Sequence, residues 1–282
     1  MKLKVLALKG YAGAGKTTVE KALYWLMSFD NDVSQFTQID IEDILNPDIK
    51  THQFIGCKDC SMPIYIARRS FADPIKDYLS SLMNCHPSDL KRQDVKESLQ
   101  PDLFDNLTVR DMHLKVADTI KECTNNEDIF ADAMKRVIVR LHNDMRQHPD
   151  VMASNMLLVI DDLRYPYEHE MLQHLVLEDV IDDYVCVEVK MPNIDKPTIK
   201  HSSEIEQSKI VPDFVYVNNK CLQQDIHQLI PIIDKCLEDL DDDCEDLEDL
   251  DNEDDTLSAI IKQQTQERMA KRQQRLKDAG LL

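Results

Sequence analysis

Gly10-Tyr11-Ala12-Gly13-Ala14-Gly15-Lys16-Thr17 fits the pattern G-x-x-x-x-G-K-[ST] at every constrained position. The chain holds only 5 glycines in 282 residues, and three of them fall inside this stretch. Glycine used so sparingly marks a backbone need: a loop that turns its N–H groups inward, where a phosphate can accept from them. Before it, residues 2–8 form a short apolar run with the look of a buried parallel strand. After it, residues 17–27 carry Val19, Leu23 and Leu26 at helical spacing. Strand, glycine loop and helix in that order are the context the motif requires. The helix adds roughly half a positive charge at its N-terminus. Gly10, Gly13, Ala14, Gly15, Lys16, Thr17 and Thr18 are therefore the expected nucleotide-binding residues. Lys16 is expected to reach the outer phosphates of ATP, and the Thr17 hydroxyl to ligate Mg²⁺.

Working outward, short apolar runs alternate with helical segments. The second strand is either 36–39 or 64–67. Helices are expected over 71–83, 108–122 and 127–146, with Pro74 tolerated in a first turn. Further strands are expected at 156–160, 184–189 and 214–217. This alternation predicts a three-layer α/β fold of the P-loop NTPase type, with a mostly parallel sheet of about five strands. A helical substrate-binding subdomain is expected as an insertion over about 44–150 of a domain spanning 1–236. The run at 156–160 ends at Asp161 and Asp162. Two readings stand side by side there: a carboxylate that holds a water on Mg²⁺, and a turn that closes a core strand. On the first, Asp161 is a metal ligand, and Asp162 joins Lys16 and Arg164 as a catalytic group.

The formal charge is −20, but residues 238–255 contribute −13 of it and leave −7 elsewhere. That acidic stretch reads as a low-complexity linker, and 256–282 as a basic helical tail with Arg268, Lys271, Arg272, Arg275 and Lys277. The balance disfavours duplex nucleic acid as a partner. A basic protein partner for the acidic run and a homodimer are candidate associations. The eight cysteines are irregularly spaced and read as reduced thiols. Cys57 and Cys60 form a single C-x₂-C near His52, readable as half a zinc site or as two loop thiols. With no run near the ~20 apolar residues of a membrane span, the expectation is a soluble, cytoplasmic protein without a membrane partner.

Four segments together resemble the deoxynucleoside monophosphate kinases of bacteriophages and other large DNA viruses. They are the glycine loop; Phe71-Ala72-Asp73-Pro74-Ile75-Lys76; Asp162-Leu163-Arg164-Tyr165-Pro166-Tyr167-Glu168; and His201-Ser202-Ser203-Glu204 followed by Pro212-Asp213-Phe214-Val215-Tyr216-Val217-Asn218-Asn219. The resemblance covers residues 1 to about 236. It implies transfer of phosphate from ATP to a deoxynucleoside 5′-monophosphate for DNA precursor synthesis, in the cytoplasm of an infected cell. Two anionic nucleotides held head to head need arginines beside Lys16. The candidates are Arg164, Arg68, Arg110 (in Thr108-Val109-Arg110) and, more weakly, Arg69. Asp73, Lys76 and Glu168 complete the substrate-binding set that the resemblance suggests; Asp73 is equally readable as a helix cap. One departure stands out. Where the family carries Q-x-x-G after this arginine, the chain has Leu114-Lys115-Val116-Ala117-Asp118, which points to altered base recognition. Residues 190–209, with Lys196, Lys200 and His201, are the expected mobile element. Two other functions keep the same motif: another small-molecule or polynucleotide kinase, and a degenerate nucleotide-binding module working through its charged tail.

Overall fold

The computed structural model describes residues 1–28, 53–56, 63–87, 89–99, 107–147, 155–192 and 205–238. The charged tail beyond 238, the strand option at 36–39, His52, Cys57, Cys60 and the 193–204 part of the expected mobile element lie outside the described residues.

The described chain is α/β. Its strands are β1 (Leu3–Lys9), β2 (Gln53–Gly56), β3 (Pro63–Arg69), β4 (Asn155–Leu163), β5 (Asp183–Lys190) and β6 (Phe214–Val217). They form one sheet in the order β2-β3-β4-β1-β5-β6. Five strands run parallel, and β2 pairs antiparallel with β3 at one edge. This β2 is a difference from the sequence expectation, which read 44–62 as part of an insertion. Four residues carry too little periodicity to separate a strand from a loop.

All seven residues of β1 are buried, Lys4 and Lys9 included. A parallel strand covered on both faces needs apolar side chains on both, which is why β1 and β4 read as continuous apolar runs rather than alternating ones. Helix α1 (Lys16–Ser28) packs Val19, Ala22, Leu23 and Leu26 on one face, against Leu6, Leu8, Leu157, Val159, Val185 and Val187. The C-terminal helix, Ile230–Leu237, adds Ile232, Ile233 and Cys236 to the same face. Tyr184 belongs to the opposite face, where its hydroxyl meets His169 of the helix Pro166–Leu177 at 2.8 Å. Helices therefore cover both faces, compatible with three layers.

The chain divides into two compact units, residues 1–69 with 138–282, and residues 70–137. The second unit is narrower than the expected insertion, because β3 belongs to the sheet. It holds α2 (Asp73–Met83), α3 (Val109–Thr124) and the start of α4 (Ile129–Gln147), with α5 (Pro166–Leu177) and α6 (Ile230–Leu237) following in the first. The small core of the second unit joins Ile75, Leu79, Leu90 and Val109, with Met112, Val116 and Phe130 against them. Thr108 and Asp111 form a reciprocal cap at the start of α3, which fixes where that helix begins.

Leu157 is fully buried in the sheet's core. Leu157→Ala is expected to destabilise the protein by about 2–5 kcal/mol, measured by urea unfolding. A loss below about 1 kcal/mol would contradict this packing.

Candidate functional site

Residues 10–15 connect the carboxyl end of β1 to α1. Gly10, Gly13 and Gly15 all take positive φ. Two of them also lack room for a side chain. A Cβ on Gly10 would strike the Val189 carbonyl of β5, and one on Gly15 the Asn218 amide. Glycine is needed at these two places for space as well as conformation. Ala14 N–H donates to Tyr11 O at 3.1 Å, and Thr18 and Val19 N–H donate to Gly15 O at 2.9 and 3.0 Å, so α1 starts tightly on the loop. Lys16 Nζ folds back over this loop and donates to Gly10 O at 2.5 Å and Tyr11 O at 3.2 Å. Thr17 is exposed and Thr18 half-buried on the first turn.

Beside the loop, β4 contains a bulge. Ala7 pairs with Ile160 and Lys9 with Leu163, so β4 carries one residue more than β1 over this interval. The extra residue falls at Asp161-Asp162. A bulge re-aims side chains, and such features concentrate near functional sites. The strand thus runs through both aspartates instead of ending before them.

Asp161 and Arg68 form a close ion pair, and Arg68 Nε lies 2.7 Å from Glu20 Oε1 of α1. All three side chains are at most a tenth exposed. The strand registers explain the meeting: Arg68 pairs with Val159, on the face that α1 covers. Arg68 was expected to meet substrate, and here it bridges two carboxylates. Glu20 was not expected at all. A glutamate on the apolar face of an amphipathic helix is the one signal that would have found it. With all three groups ionised, the cluster holds a net −1 where charge is costly, and a nearby cation would offset it. Asp161 Oδ1 has no hydrogen-bond partner among the described residues. A buried carboxylate oxygen and the Thr17 hydroxyl are hard donors of the kind Mg²⁺ takes.

Arg164 and Glu168 lie at the start of α5. Glu168 is buried, and its Oε2 accepts from the backbone N–H of Arg164 at 2.8 Å and of Tyr165 at 3.0 Å. Burial pushes its carboxyl up to about 8, with the nearby Asp162 charge adding to the rise and the two backbone N–H groups and the Arg164 charge opposing it. The half-buried Arg164 guanidinium has no hydrogen bond or ion pair among the described residues. By contrast Arg69 donates to Arg68 O at 3.1 Å.

The remaining candidates lie in the second unit. Asp73 Oδ2 accepts from Ser70 N–H at 2.8 Å, and Lys76 Nζ reaches Ser70 Oγ at 2.6 Å and Asp73 Oδ1 at 3.2 Å. These three close the turn that leads into α2. Arg110 pairs with Glu97 at 2.7 Å near the surface. Residues 114–118, where the resemblance breaks, lie inside α3, and Val116 and Ala117 pack on this unit's core.

Among the described residues no cluster of three or more His, Cys, Asp or Glu could hold a metal ion, and no helix is long and apolar enough to cross a membrane. Neither a protein-family model nor a curated protein matches the chain.

Removing the guanidinium would leave two buried carboxylates facing each other. Arg68→Met is expected to cost about 3–5 kcal/mol in chemical denaturation, far more than loss of a surface arginine. Glu168 gives a pH test. A carboxyl raised on folding contributes stability that is complete below its ordinary value of 4.5 and is lost as pH rises through about 8. Unfolding free energy should therefore fall from about pH 5 to 8, and Glu168→Gln should remove that part of the slope. Equal slopes in the two proteins would refute the assignment.

Proposed function

We propose that the chain is a kinase that transfers the γ-phosphoryl group of ATP, with Mg²⁺, to a deoxynucleoside 5′-monophosphate. The observation that carries this reading is the Gly10–Thr17 loop itself. It joins a buried parallel strand to a helix N-terminus, its glycines hold positive φ, and Lys16 Nζ rests on its rim. It opens at the carboxyl end of the sheet beside β1, where the strand order reverses, and ligands of open α/β sheets bind at such points. The choice of acceptor rests on the family resemblance.

The chemistry needs positioning and charge neutralisation more than covalent participation. An acceptor phosphate already carries an anionic oxygen, so no protein base has to remove a proton. That oxygen forms a bond to the γ-phosphorus as the bond to the β–γ bridging oxygen breaks, and ADP leaves. Lys16, drawn from two neutral carbonyls onto phosphate oxygens, offsets negative charge on the donor. Arg164 stands one residue before the N-cap of α5, and its half-buried guanidinium makes no hydrogen bond or ion pair among the described residues, so it is available to the transferring group. Arg68 supports the site from behind, through Asp161. Mg²⁺, held by Thr17 and Asp161 with Asp162 adjacent, would neutralise phosphate charge.

Purified protein incubated with ATP, Mg²⁺ and each deoxynucleoside monophosphate in turn tests the proposal, with ADP and the deoxynucleoside diphosphate quantified together. Conversion of at least one monophosphate is expected. Lys16→Ala and Arg164→Met should each lower kcat by about a hundredfold or more while leaving the unfolding transition in place. ATP binding without conversion of any deoxynucleotide would overturn the acceptor assignment, and ribonucleotides or a polynucleotide 5′ end would be tried next.

A further inference from the structure

A glycine loop does not hold a phosphate-binding shape by its own preference. Turning successive N–H groups to one side sets like partial charges together, and glycine gives up the most backbone freedom on being fixed. Something must hold the loop, and two carboxamides touch its ends. Gln207 Oε1 accepts from Gly10 N–H at 3.3 Å. Asn218 Nδ2 donates to Ala14 O at 2.9 Å. Both come from the segment that includes β6, roughly two hundred residues along the chain from the loop.

We propose that Gln207 and Asn218 are positioning residues that clamp the Gly10–Gly15 loop in the form that accepts the triphosphate of ATP. This rests on the nucleotide reading above.

The geometry supports it at several points. In a trans peptide the C=O and N–H point opposite ways. Tying Ala14 O to Asn218 therefore directs Gly15 N–H away from Asn218. Among the described residues, Gly13 and Gly15 N–H have no hydrogen-bond partner. They are donors held out for a ligand.

The clamps are themselves held. Asn218 N–H donates to Lys190 O at 2.7 Å, and its Oδ1 accepts from Lys220 N–H at 2.9 Å. The oxygen end of the amide is thus occupied by a donor, which leaves the nitrogen end for Ala14. Gln207 is buried, and its own carbonyl accepts from the buried Lys9 Nζ at 3.1 Å, as does that of Ile210 at 2.6 Å. Between the two clamps, Asp213 Oδ2 accepts from Cys186 N–H at 2.7 Å and ties the segment to β5. The absence of a side chain at Gly15 is what lets Asn218 come so close.

The two carboxamides act with opposite polarity, Gln207 as acceptor and Asn218 as donor, and the test exploits this. Mg·ATP binding to the full chain is measured by calorimetry, with KM for ATP and for the deoxynucleotide measured separately and an unfolding curve recorded for every variant. Asn218→Ala and Asn218→Asp both lose the donor and are expected to weaken Mg·ATP binding about two- to tenfold, with the deoxynucleotide KM unmoved. Gln207→Leu should weaken it by a similar factor. If Asn218→Ala and Gln207→Leu bind Mg·ATP as tightly as the unaltered protein, or if the KM for the deoxynucleotide rises as much as that for ATP, the clamp is overturned. If the unaltered protein binds no Mg·ATP, the nucleotide reading itself falls and this inference with it.

Discussion

Burial of β1 is the constraint on which the sheet unit depends. Its seven residues are covered on both faces and hydrogen-bonded on both edges, to β4 and β5. Such a strand has no freedom to shift, because a slip of one residue would exchange its two apolar faces. Its carboxyl end therefore stops at a defined height. The loop that leaves it has to pass the Val189 carbonyl of the neighbouring strand, which only glycine permits. The position of Gly10, the start of α1 and the reach of Lys16 all follow from where β1 ends.

Charge around this end is divided into groups held in a buried ion cluster and groups that stand outside it. Arg68, Glu20 and Asp161 form a buried cluster in which the guanidinium serves two carboxylates. Glu168 is committed too, to the backbone N–H groups of Arg164 and Tyr165 that lead into α5. Lys16 and Arg164 differ. The ammonium of Lys16 donates to carbonyls of its own loop, and the guanidinium of Arg164 makes no hydrogen bond or ion pair among the described residues. Separating Arg68 from its carboxylates would expose two buried charges, a cost that Lys16 and Arg164, which stand outside this cluster, do not carry. This difference separates framework residues from candidate catalytic ones more sharply than residue type does.

The second unit has its own small core, and its charged candidates are tied locally, Asp73 and Lys76 at the turn into α2 and Arg110 to Glu97. Val116 and Ala117 show why the expected recognition pattern is missing there. Those positions are occupied by residues that pack on the unit's core.

Local chemistry alone was enough to reveal the glycine loop, four of the helices and four of the strands, with 64–67 left as one of two options for a fifth. Each of these depends on neighbours in the chain: φ freedom at glycine, or apolar spacing over a turn. The short β2 and the bulge at Asp161-Asp162 were not legible, since both are defined by the strand alongside. Arg68 could be picked out as a substrate-binding candidate but not assigned its carboxylate partners, because Glu20 and Asp161 lie 48 and 93 positions away and reach it only through sheet register and the packing of α1. The same holds for Gln207 and Asn218. Gln207 carried no signal of its own within 190–209, and Asn218 was legible only as part of a segment resembling a family, with no contact attached to it. Only the parallel crossover that sets β5 beside β1, and β6 beside β5, delivers them to the two ends of the loop.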